Sequence, residues 1–199
     1  MSAGTIFSTE GQGNVGYGIL GSLGAWAAGW SQTGTYADVT ITAEIDPGTG
    51  SGTSGTAYLM TQVGPGTTVA EQIATASFSA TGAEFTPVLN TLFTGLTLGP
   101  GNYYLVLTSP SGLGWEVATD GITPVAAPGV SLIFDNATAR ATIAPYAPAS
   151  NFPFPAPEDL EFAVTGTAIP EPTPLALVFG ILPLLAMVHR LRPASRGRK

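Results

Sequence analysis

Glu116, Asp120 and Asp135 are the acids whose type could support bond cleavage. Two carboxylates about 5–9 Å apart can hydrolyse a glycosidic bond, one as acid, the other as nucleophile or base. Their spacing along the chain fixes no separation, and most surface acids are simply solvated. Asp46 opens the loop Asp46-Pro47-Gly48-Thr49-Gly50-Ser51-Gly52-Thr53-Ser54-Gly55. Carboxylate and carbonyl oxygens there could hold calcium, although the D-x-D-x-D-G pattern is absent. Trp26, Trp30, Tyr103, Tyr104 and Trp115 could form a platform for sugar rings. At alternating strand positions, aromatics more often fill a core. Asn136-Ala137-Thr138 has the form of a glycosylation sequon. The sequence has no cysteine, which removes thiolate metal sites and disulfides. Its one histidine, His189, leaves no imidazole in the body for a Ser–His–Asp relay. No catalytic residue, metal site or cofactor is expected, and the chain does not read as an enzyme.

The elements that must position these groups are set by composition and charge. The 199 residues suit one domain plus a tail. Only 10% are charged and 44% are hydrophobic, which is unlike an acidic disordered segment. Residues 1–171 hold all thirteen acids and one base, Arg140, a net of −12. The last ten residues hold Arg190, Arg192, Arg196, Arg198 and Lys199, a net of +5. An acidic body offers no basic face to phosphates, so nucleic acid is excluded as a partner.

Pro172–Val188 is a run of seventeen uncharged residues before that basic tip. Its apolar side chains include Leu175, Leu177, Val178, Phe179, Ile181, Leu182, Leu184, Leu185 and Val188. As a helix it rises about 26 Å against a hydrocarbon core of about 30 Å, which spans with snorkelling Arg190 and Arg192. Bases flanking such a run belong on the cytoplasmic side. Pro183 removes one hydrogen bond, a loss that membrane helices tolerate. Before the run, Ile169-Pro170-Glu171-Pro172-Thr173-Pro174 forms a stiff, extended spacer.

Pro170-Glu171-Pro172, then an apolar helix, then an arginine cluster resembles the PEP-CTERM protein-sorting signal over residues 168–199. The departures are Pro183 and the split of the cluster by Pro193-Ala194-Ser195. The resemblance implies recognition by an exosortase, a membrane-embedded cysteine transpeptidase of Gram-negative bacteria that make exopolysaccharide. It further implies an exported body held at the cell membrane through the C-terminal helix. Residues 1–30 hold no Lys or Arg, so a secretory leader, which needs a basic n-region, is expected upstream of Met1 or already removed.

The body reads as β. Val39, Ile41, Ala43 and Ile45 alternate with Thr40, Thr42 and Glu44, as in a half-buried strand. Further strands are expected at 57–63, 73–78, 88–98, 103–107, 115–118, 130–134, 141–144 and 162–165, separated by Gly/Pro turns. Twenty-six threonines suit pleated surfaces. This predicts an all-β body, a β-sandwich or jelly roll, followed by one transmembrane helix. The stretch Phe93–Leu107, with Trp115 after it, looks like the choice-of-anchor β-sandwich ectodomains found on sorted proteins. The organisation expected is an N-terminal segment 1–30 with no defined element, an ectodomain 31–167 and a sorting segment 168–199. The role expected is structural or adhesive, in or on an exopolysaccharide layer. A carbohydrate-binding module is the alternative.

Overall fold

The computed structural model describes residues 2–11, 14–20, 25–48, 54–64, 67–110, 112–118, 123–139 and 159–170. The chain divides into two units, Met1–Ile169 and Pro170–Lys199. Residues 171–199 lie outside the described residues, as does the strand expected at 141–144. No helix among the described residues is long and apolar enough to cross a membrane.

The first unit is all-β. Its strands are β1 (Gly4–Ser8), β2 (Asn14–Leu20), β3 (Ala25–Gln32), β4 (Thr35–Asp46), β5 (Ser54–Met60), β6 (Gln72–Ser79) and β7 (Val88–Leu98). They continue with β8 (Gly101–Thr108), β9 (Leu113–Ala118), β10 (Val125–Ala126), β11 (Val130–Ala139), β12 (Asp159–Leu160) and β13 (Phe162–Ile169). One sheet runs β10-β1-β13-β4-β9-β12, with β2 added on β9 and β7 on β4. The other runs β11-β3-β8-β5-β6. The pairings within both sheets are antiparallel.

Alternation decides which face each strand buries. In β4, Val39, Ile41, Ala43 and Ile45 are fully buried. Asp38 adopts a left-handed φ of 51°. Short polar side chains tolerate this region. The register of β4 shifts here on both edges, so Tyr36 and Val39, three residues apart, are both buried.

One core joins the two sheets. Phe162 stands at its centre, with ring centroids 5.3 Å from Phe7, 5.9 Å from Trp30 and 6.3 Å from Trp115. Trp30 stacks on Tyr103 at 5.6 Å. The polar edges of these rings are satisfied, as burial requires. Trp30 Nε1 donates to Gln32 Oε1 at 3.2 Å, and Tyr103 Oη donates to the Gly99 carbonyl at 2.8 Å. The buried Gln32 amide donates onward to the Leu98 and Gly99 carbonyls.

Residues 1–30, for which the sequence shows no element, supply β1, β2 and most of β3. Ile6 and Phe7 of β1 are in the core, and β1 pairs with β13. The period-two signal fails in β3 because all six residues from Ala25 to Trp30 are buried, so neither face is marked by polar residues.

Candidate functional site

The same alternation that buries the apolar side chains of the larger sheet collects acids on its opposite face. In β4 the inward Ile41, Ala43 and Ile45 leave Thr42, Glu44 and Asp46 on the other face. In β9 the inward Leu113, Trp115 and Val117 leave Glu116 there. Between β12 and β13, the inward Leu160 and Phe162 leave Glu161 there.

Backbone bonds bring three of these acids side by side. Along one edge β4 pairs first with β13 and then, from Ile45, with β9. The break between β12 and β13 falls where these partners change. Glu161 sits in it: the Glu44 amide donates to its carbonyl at 3.3 Å, and its own amide donates to the Glu116 carbonyl at 3.0 Å. Trp115 Nε1 also donates to the Glu161 carbonyl, at 2.8 Å, which locks the junction to the core from below. Glu44, Glu161 and Glu116 therefore form a lateral row, with Asp46 one step further along β4.

Several local bonds hold the carboxylates. Gly48 N donates to Asp46 Oδ1 at 2.6 Å. Gly48 takes a left-handed φ of 66°, and a Cβ there would collide with the Gly112 carbonyl, so only glycine closes this turn. Gly11 N donates to Glu161 Oε2 at 3.4 Å, and Thr42 Oγ1 donates to Glu10 Oε1 at 2.6 Å. Asp46, Glu116 and Glu161 are all buried. Asp46 Oδ2 and Glu116 Oε2 accept no hydrogen bond among the described residues.

The described residues contain no Lys, Arg or His. With no basic side chain among the described residues, the acids act on one another. Burial, then the charges of Asp46, Glu161 and Glu44, push the Glu116 carboxyl up to about 7. Burial also raises Glu10, against the Thr42 hydrogen bond that lowers it, with the Glu44 charge adding to the rise.

A raised folded-state carboxyl binds its proton more tightly than the unfolded chain does. Its stabilising contribution is complete below the unfolded value of about 4.3 and is lost as pH rises through about 7. The ceiling on that loss is about 4 kcal/mol, less whatever solvent screening removes. Urea denaturation at pH 5 and pH 8 should show this decline in the wild type and a flatter profile in Glu116→Gln. Equal pH profiles in the two proteins would contradict the assignment.

The other residues singled out by type are placed differently. Trp26, Trp30, Tyr103 and Trp115 are buried in the core, so they build no platform for a sugar. Tyr104 is half-buried beside Tyr58 and Val63, on a smaller cluster of Ala25, Ala27, Met60 and Val106. Its ring lies across Gly29 of β3, where a Cβ would stand 2.7 Å from Tyr104 Cδ1. Of the three acids read for glycosidic chemistry, Glu116 is described with its side chain. Asp120 lies outside the described residues, and Asp135 is placed only through the backbone of β11. The sequon Asn136-Ala137-Thr138 also falls in β11, whose Ala137 and Thr138 pair with Ala27 and Trp26. Of Pro170-Glu171-Pro172, Pro170 is described, as an exposed residue just after β13. Glu171, Pro172, the apolar run and the basic tip lie outside the described residues.

No protein-family model matches the chain, and no curated protein matches it.

Proposed function

We propose that this is an exported surface or matrix protein, sorted through its C-terminal segment, with a structural or adhesive role in an exopolysaccharide layer. Its body is a β-sandwich or jelly roll, and the apolar residues from Leu175 to Val188 form a single transmembrane helix. The carrying observation is the order of the tail: Pro170-Glu171-Pro172, seventeen uncharged residues counted from Pro172, then five bases within ten residues. An exosortase-type enzyme reads the proline-flanked acid. Its target needs little ordering on binding, because proline has already restricted the backbone.

The charge distribution sets the topology. Bases are retained on the cytoplasmic side of a short apolar span, and the sequence carries one base before His189 against five after it. The acidic body therefore faces outward and residues 190–199 face the cytoplasm. Protease added to spheroplasts is expected to digest the body and to spare a tag placed after Lys199. A protected body, or a digested tag, contradicts this topology.

A further inference from the structure

We infer that the acid cluster on the outer face of the larger sheet is a binding site for a hard divalent cation, calcium, held chiefly by Asp46 and Glu116. Two observations carry this. The first is that Asp46 and Glu116, 0% and 3% exposed, each keep one carboxylate oxygen without a hydrogen-bond partner among the described residues. Buried carboxylates are stable when protonated, paired, hydrogen-bonded or bound to a metal. The second is where the sheet places them. Asp46 pairs with Gly114, two residues from Glu116 on the same face of β9. Such diagonal neighbours lie roughly 7–8 Å apart, which one ion with oxygen ligands at about 2.3–2.6 Å can bridge.

The surrounding charge is of the right sign. Glu161 and Glu44 add negative charge from the neighbouring strands, and the described residues contribute no basic side chain against it. Oxygen donors without nitrogen or sulfur favour calcium or magnesium over zinc or copper. Among the described residues no three acidic or imidazole groups stand together as a finished cage. The site thus relies on two carboxylates, completed by water and backbone carbonyls. That irregular shell suits calcium, which accepts 6–8 ligands in flexible geometry, better than magnesium. The ion would also relieve the repulsion among carboxylates in one row, tying β4, β9 and the β12–β13 junction together.

The test uses the full-length protein in detergent, stripped with EDTA and exchanged into buffer at pH 8. Extracellular calcium modules bind at about 10⁻⁴–10⁻³ M, so CaCl2 is titrated to about 10 mM with thermal unfolding and calorimetry as readouts. The expected result is a rise in Tm of roughly 3–10 °C with calcium, and a smaller one with MgCl2. The double variant Asp46→Asn, Glu116→Gln should lose the calcium response while matching or exceeding the wild-type Tm in EDTA. That baseline separates a lost site from a damaged fold. No calcium-dependent shift or heat in the wild type overturns the proposal. An undiminished response in a folded double variant overturns it equally, and an equal rise with magnesium overturns the assignment to calcium.

Discussion

Trp115→Ala is expected to lower stability by about 3–5 kcal/mol, enough to leave little folded protein if the total is near the low end of the usual 5–15 kcal/mol. The reasons are separable. Trp115 is fully buried, so truncation removes its whole ring from the core. It loses the edge contact with Phe162, the ring that also meets Phe7 and Trp30. It further loses the Nε1 hydrogen bond to the Glu161 carbonyl, which pins the junction of β12 and β13. Trp115→Phe keeps much of the ring and drops only that bond, so its cost should be nearer about 1–2 kcal/mol plus a small cavity term. Urea denaturation followed by far-UV circular dichroism measures both. A loss under about 1 kcal/mol for the alanine variant would contradict the central place given to this ring.

Much of this architecture was legible where a strand alternates apolar with polar residues or runs together aromatic, leucine and β-branched ones. The alternation of Val39, Ile41, Ala43 and Ile45 with polar residues lies inside β4, and Tyr103–Leu107 lies inside β8. Strands β5, β6, β7, β9, β11 and β13 likewise overlap expected runs. Burial on both faces does not by itself hide a strand, since β9 is buried throughout; the strands rich in alanine and glycine left no such mark. β3 mixes alanine, tryptophan and glycine with every residue through Trp30 buried, and β2 contains two glycines in seven residues. β10 and β12 are two residues each, too short for any period to register.

The acid cluster was legible only in fragments. Asp46 and Glu116 each drew attention by type, for different chemistry. Their meeting depends on register between strands seventy positions apart, which composition does not encode. Nothing in the sequence around Glu161 marks it for chemistry. A usable signal was nonetheless present: Glu44 and Asp46 alternate with isoleucine, on a chain without a single base before Arg140. Acids that share a strand face and lack any basic counterpart must meet water, protons or a metal ion.

Glu171→Ala is the second change with a large expected effect, and its logic is a comparison of two roles for the tail. In a plain anchor only apolar length and flanking charge matter. Replacing one exposed carboxylate outside the span then changes little. In a sorting signal the tripeptide is itself the substrate, and loss of its charge removes what the enzyme reads. The variant should accumulate at full length in the membrane, with the released or matrix-bound form largely lost. Its body should fold as the wild type does, because Glu171 follows the last described strand, which ends at Ile169.

The most direct measurement is intact mass spectrometry of the protein recovered from the cell surface and matrix, read at its C-terminus. The account predicts a wild-type chain that ends close to Pro170-Glu171-Pro172 and lacks Arg190 to Lys199, beside a Glu171→Ala chain that still carries Lys199 and stays in the membrane. Wild-type surface protein that retains Lys199, with Glu171→Ala indistinguishable from it, would contradict the sorting claim and make the tail an ordinary anchor.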